Sequence, residues 1–466
     1  MPAFTEGKYL REKAESLQAG LLLRLEEFVE ELPTGQSANL IGTIKLFLAQ
    51  IEAELKSCDD AELRFFCPLI DQLSEVLEWL DHAHTAETPR AYVEILAEIS
   101  RELHDSASIL VTPTVECNYR ISDEVPNLVR LTNALSPTRQ DLVIARLPKA
   151  LFRVRFPRIE RENILNHSLF GHEFGHPIAD EFLDEHEEEV IYQERLLKAQ
   201  REIEKEPETA EEMAHCLDET ERTVLINNIQ DRLSQIHKRA LVELVSDAIS
   251  VHLFGPSAIF ASMDFFIREP LDEKPEEDEF YPPTRYRWRL MLQILKDGGY
   301  LQHLGRLELQ SPIRATLDST FEYLERVAAD ESDLDVLERD PYTRAAYAWL
   351  RETMPDALEY ARNRVSALHY AADRVSQEVP RLLERLQAGV PPSEMGTWPN
   401  VSPVDWRSTL VASWLLALWQ TLDSSLDVDQ RREALRTTHR LAVKGVEYIF
   451  LQRDIYAFNQ NQEKLK

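Results

Sequence analysis

His172-Glu173-Phe174-Gly175-His176 is the stretch from which the rest of the chain is best read outward. It has the pattern HExxH. On a helix the two histidines lie one turn apart on the same face, so their rings are expected to share one metal ion. Zinc takes neutral imidazole nitrogens in a tetrahedral set, and a catalytic site keeps one position for water. Glu173 stands beside that position and is expected to act as general base. Pro177 follows directly and cannot donate a backbone hydrogen bond to the Glu173 carbonyl, which predicts a kink or an end of the helix there.

A third ligand of matching chemistry comes later, in Ala240-Leu241-Val242-Glu243-Leu244-Val245-Ser246-Asp247. This is an apolar helical run carrying two carboxylates at i and i+4. Buried carboxylates are costly unless paired or metal-bound, so Glu243 is expected to bind the ion. Asp247 is expected to accept the remaining ring N–H of a ligand histidine and fix its orientation. A surface carboxylate pair is the alternative. The longer pattern HExxHxxGxxH is not met, because Ala179 and Phe182 occupy its glycine and third-histidine places and His186 is out of position.

HExxH followed by ExxxD on a second helix resembles the gluzincin zinc metallopeptidases, the thermolysin-like superfamily. Phe280-Tyr281-Pro282-Pro283-Thr284-Arg285-Tyr286-Arg287-Trp288-Arg289 also resembles the His-Pro-Pro segment, followed by an arginine, of the CAAX-prenyl and heat-shock membrane endopeptidase branch, with Tyr281 in place of the histidine. The chain lacks the membrane spans of that branch and inserts a long charged segment between HExxH and the glutamate. The resemblance implies a zincin-like core, one zinc per chain on His172, His176 and Glu243, the base Glu173, the orienting carboxylate Asp247, and hydrolysis of a protein or peptide substrate.

An oxyanion formed at such a site needs a further donor. Tyr281 and Arg285 are the leading candidates by position, with Tyr286, Arg287 and Arg289 beside them; surface salt bridges are the competing role. His167 and His252 are read as packed histidines. In Phe152-Arg153-Val154-Arg155-Phe156 the side chains alternate apolar and basic, as in a strand with one wet face. That strand resembles the edge strand on which zincins hold an extended peptide.

The composition narrows the function classes. With 82 acidic against 52 basic side chains and a net charge of −30, the chain is unsuited to nucleic acid or anionic membranes. Cys58, Cys67, Cys117 and Cys216 form no CxxC pair and read as reduced thiols. The N-terminus shows no secretory signal, so a cytoplasmic location is expected. The apolar stretch Leu410 to Leu422 is shorter than the roughly 20 residues of a membrane span and reads as a buried helix.

The expected fold is α+β, predominantly helical, with a small sheet beside the HExxH helix. Residues 1–105 read as a helical region with three or four helices interrupted at Pro33-Thr34-Gly35 and at Cys67-Pro68. Residues 106–300 form the metallopeptidase core. Strands are expected at Ile109–Thr112, Val115–Ile121, Leu142–Ala145 and Phe152–Phe156, and a charged helical hairpin at about 184–237 ahead of a helix from Asp231 to Val251. An acidic loop, Glu269 to Tyr281, follows. Residues 301–466 read as a C-terminal helical region with breaks at Asp340-Pro341, Met354-Pro355 and Gly389 to Pro403. The flanks leave room for a regulatory protein partner. Two other functions fit the same residues: a silent helical scaffold with a structural zinc, or a zinc hydrolase acting on a non-peptide amide.

Overall fold

The computed structural model describes residues 5–31, 35–59, 62–83, 88–103, 107–116, 118–267, 271, 280–397 and 400–464. Cys117, Pro33-Thr34 and most of the acidic loop lie outside them. The chain divides into two compact units, Met1–Glu162 and Asn163–Lys466. The fold is α+β and predominantly helical, as the sequence predicts.

In the first unit, helices α1 (Glu6–Glu31), α2 (Gly35–Leu55), α3 (Leu63–His82) and α4 (Arg90–Leu103) precede β1 (Ala107–Thr114), β2 (Arg120–Asp123), α5 (Val125–Thr132), α6 (Pro137–Ile144) and β3 (Ala150–Pro157). Pro68 does not interrupt α3. It stands near the start of the helix, where the hydrogen bond it lacks would have gone to the first turn. Leu48 and Leu73 from the helices and Leu110 and Leu151 from the strands share one apolar core.

The expected strand Leu142–Ala145 is instead the end of α6. Ser136-Pro137 is a helix start, and the run leaves Leu142 and Ile144 exposed while burying Val143.

The sheet has the order β1-β3-β2, with β3 parallel to β1 and antiparallel to β2. Phe152, Val154 and Phe156 are buried while Arg153 and Arg155 are partly exposed, as the alternation predicts. β3 is nevertheless the central strand. Both its edges are hydrogen-bonded within the sheet, so the expectation that it holds a peptide by strand addition is corrected. Pro113, which has no N–H for a ladder, sits on β1 at the edge.

In the second unit, α7 (Phe170–Glu173), α8 (Gly175–His186), α9 (Val190–Glu204), α10 (Pro207–His215) and α11 (Glu219–Phe254) lead to α12 (Pro256–Phe266), α13 (Thr284–Asp297), α14 (Tyr300–Gly305), α15 (Ser311–Ala329), α16 (Ser332–Arg339) and α17 (Pro341–Arg364). Then come α18 (Asp373–Gln387), a hairpin of β4 (Glu394–Thr397) and β5 (Asn400–Pro403), α19 (Trp406–Leu422) and α20 (Val428–Lys464).

α11 is the axis of this unit, packing against α7, α8, α9, α12, α13 and α17. Asp218 caps it by accepting from the backbone N–H groups of Thr220 and Glu221. The end of the charged segment, from Glu219 onward, and the apolar ExxxD run are therefore parts of one helix of 36 residues. Asp340 caps α17 in the same way, and Pro355 lies inside that helix without ending it. α19 is the buried apolar helix expected from its sequence. Among the described residues, no helix is long and apolar enough to cross a membrane.

Candidate metal centre

Two glycines set the site. Gly171 and Gly175 each precede a histidine of the motif, and both face α11. A Cβ on Gly175 would lie 2.4 Å from the Ser246 Cα, and one on Gly171 would lie 2.9 Å from the Ser250 Cα. Two small residues on each helix at i and i+4 thus let the backbones touch. This close crossing brings the HExxH segment to the carboxylates of α11.

The helix is interrupted at Phe174, between α7 and α8. The interruption falls where Pro177 fails to donate to Glu173. It leaves the His172 and His176 rings 4.8 Å apart between centroids and nearly perpendicular, at 87°. Ligating atoms of His172, Glu173 and His176 all lie within 4.8 Å of one another, a group able to hold a metal ion.

α11 adds its two carboxylates. Glu243 Oε2 is 3.2 Å from His172 Nε2, and Asp247 Oδ1 is 2.9 Å from His172 Nδ1. His172 is thus held at both ring nitrogens by residues one turn apart. Two ligand atoms roughly 2 Å from a shared tetrahedral ion lie about 3.3 Å from each other, which the spacing of His172 and Glu243 matches.

Glu243 is fully buried, and neither of its carboxylate oxygens receives a hydrogen bond. Buried polar atoms are nearly always satisfied, and for this anion the compensation comes from cationic groups. Arg287 Nη1 and Arg239 Nη1 approach it, each at 3.6 Å. The donor set of two imidazoles and carboxylates suits zinc.

Electrostatics follow from this packing. Burial opposes charge on His172, but Asp247 and Glu243 outweigh it and push the ring up to about 9. Burial and then the charge of His172 pull His176 down to about 3. Burial resists charge on Glu243 too, yet His172 and Arg287 hold it well below the usual carboxylate range.

Sequence reasoning gave five donors in the Tyr-Pro-Pro segment, and α13 separates them. Arg287 is the arginine at the centre, hydrogen-bonding Asp247 and lying 3.3 Å from His172 Nδ1. Arg285 turns the other way, donating to the Val327 carbonyl at 2.7 Å and pairing with Asp330. Arg289 binds Asp333 and the Ala328 carbonyl. Tyr286 packs edge-on against Tyr347. Tyr281 reaches the site, stacked under the Arg239 guanidinium at 4.4 Å; burial and then the nearby charge of Glu243 raise its phenol. His167 is buried against Phe170, and His252 lies beside His369.

Comparison of the chain with protein-family models, with curated proteins and with solved structures finds no match.

Proposed function

We propose that this chain is a zinc-dependent peptidase of the gluzincin kind, with one zinc held by His172, His176 and Glu243. The observation that carries the reading is the fully buried Glu243 carboxylate lying 3.2 Å from a histidine whose other nitrogen meets Asp247. Glu173 and Glu243 are both near the histidines, and their surroundings divide the roles. Glu243 is immobilised on α11 inside the core; Glu173 is partly exposed, where water and substrate arrive.

Zinc, when bound, supplies Lewis acidity toward a scissile carbonyl and acidifies a neighbouring water. Glu173 takes a proton from that water and delivers it to the departing amine. Asp247 accepts from His172 Nδ1 and so presents Nε2 toward the ion. Tyr281 is the phenol best placed to donate to charge developing on the substrate oxygen; Arg285, engaged at Val327, is not. The substrate is a protein or peptide. The described cysteines Cys58, Cys67 and Cys216 are unpaired, in keeping with work in the cytoplasm.

The test is Glu173→Gln. Fold and zinc content should persist while hydrolysis falls about 10²–10⁴-fold, and the protein termini present in cells carrying wild type should be missing in cells carrying the variant. Undiminished cleavage by the variant at saturating zinc would overturn the mechanism.

A further inference from the structure

The basic face of the three-stranded sheet has no counterpart in the proposed chemistry. Arg155 on β3 stands in register between Thr112 on β1 and Arg120 on β2, and Arg153 stands between Leu110 and Ser122. Residues in register share a face, so three arginines and two hydroxyls lie on adjoining rows.

Among the described residues, part of the hydrogen-bonding capacity of this face is unmet. The Nε atoms of Arg153 and Arg155 are buried and donate to nothing, and the Thr112 hydroxyl, on a fully buried residue, is equally unmatched. Glu124, the nearest buried carboxylate by sequence, accepts instead from Ser122 and Asn127 at 2.8 Å each. Glu75 and Glu78 on α3 exert attraction on Arg153 but form no ion pair with it. Burial, and then the repulsion of Arg155, disfavour the charge of Arg153. Its guanidinium lies 4.7 Å from the centre of the Trp79 ring, a cation–π contact. In a chain where acids outnumber bases 82 to 52, adjacent arginines whose Nε–H groups meet no carboxylate are a prepared arrangement rather than a shortage of partners.

We propose that Arg153, Arg155, Thr112 and Arg120 form a receptor for a phosphoryl oxyanion. Guanidinium forks pair with phosphoryl oxygens two at a time. A dianion with three free oxygens offers acceptors for the guanidinium forks and the hydroxyl, and its charge relieves the repulsion between the arginines. A carboxylate offers too few oxygens and only one charge. Inorganic phosphate and a phosphorylated small molecule share this chemistry.

The experiment is calorimetric titration of the full, chelator-treated chain with inorganic phosphate and with phenyl phosphate at constant ionic strength, with sodium chloride as control. Saturable binding of phosphate is expected. Arg155→Gln and Arg153→Gln should each weaken it about tenfold or more, Thr112→Val less. Glu243→Gln, in the other unit, should leave it intact. Tighter binding of the ester supports a phosphorylated small molecule as the ligand, and tighter binding of phosphate supports the free ion. In phosphate-free buffer Arg153→Met should melt no lower than wild type, because it removes a half-buried charge that burial and Arg155 disfavour. Heat no greater than that of chloride, or binding undiminished in both arginine variants, would overturn the proposal.

Discussion

Arg287 grips Asp247 with two hydrogen bonds, from Nε to Oδ2 at 2.7 Å and from Nη2 to Oδ1 at 2.8 Å. Both residues are buried, so this pair compensates a carboxylate that burial alone would protonate. Removing the cation as Arg287→Met leaves Asp247 and Glu243 in the core with His172, and Arg239 beside Glu243, to balance them. Destabilisation of about 3–5 kcal/mol is expected, measured by urea denaturation. Arg287→Lys keeps the charge without the fork and should fall between the two proteins.

Zinc content should be one per chain and should depend on residues in a graded way. Glu243→Gln removes the charge of the proposed third ligand and should abolish stoichiometric zinc under a competing chelator. Asp247→Asn, which loosens the hold on His172 Nδ1 and on Arg287 but removes no proposed ligand, should lower affinity about 10–100-fold. Metal analysis of the purified variants checks the order; zinc that survives alanine at His172, His176 and Glu243 together would place the ion elsewhere.

Gly175→Ala tests the helix crossing. Its Cβ would meet the Ser246 backbone at 2.4 Å, a contact that only movement of α8 away from α11 relieves. A loss of about 1–3 kcal/mol is expected, together with weaker zinc binding, because the histidines move while Glu243 stays. Gly20→Ala in α1 meets nothing within 4 Å and should raise stability by up to about 1 kcal/mol. Opposite signs in thermal melts of the two variants would bear the contrast out.

His237 gives the pH dependence. It is fully buried between Tyr192 and Thr353, with its ring 3.6 Å from that of Trp349. Burial, and after it Lys238, pull it down from 6.5 to about 3. The unfolded chain therefore binds the extra proton first. Stability is unaffected by this group above pH 6.5 and declines as the pH falls from 6.5 toward 3. The drop in melting temperature from pH 7.5 to pH 5 should be smaller in His237→Gln than in wild type; an equal drop would assign the acid sensitivity to other groups.

Local spacing made half of the centre legible. His172 with His176, and Glu243 with Asp247, are pairs one helical turn apart, and such pairs show in any window of five residues. The choice of Arg287 over Arg285 was hidden, because it depends on the rotation of α13. That rotation is fixed from outside: Trp288 is buried and its indole donates to Ser262, which leaves Arg287 facing α11 and sends Arg285 toward Val327. The strand at Leu142–Ala145 was misread because four consecutive apolar residues carry no period, whereas Ser136-Pro137 upstream did carry the helix start. The place of β3 in its sheet was not in the sequence either. Alternation specifies which face is wet, and it says nothing about which neighbours lie on each side.

The continuity of α11 ties the charged segment to the centre by phase. Glu219 and Glu243 lie on one rod, about 36 Å apart at 1.5 Å per residue. In a loop, an inserted residue is absorbed where it falls. In this rod, one residue added between Asp218 and Glu243 turns everything before it by about 100° relative to Glu243 and Asp247. The exposed end can be lengthened without re-aiming its surface only by about seven residues, which make nearly two whole turns. The spacing of that part of the charged segment which lies in α11 is therefore a clock set by the carboxylates: its composition is free to drift, but its length in residues is not.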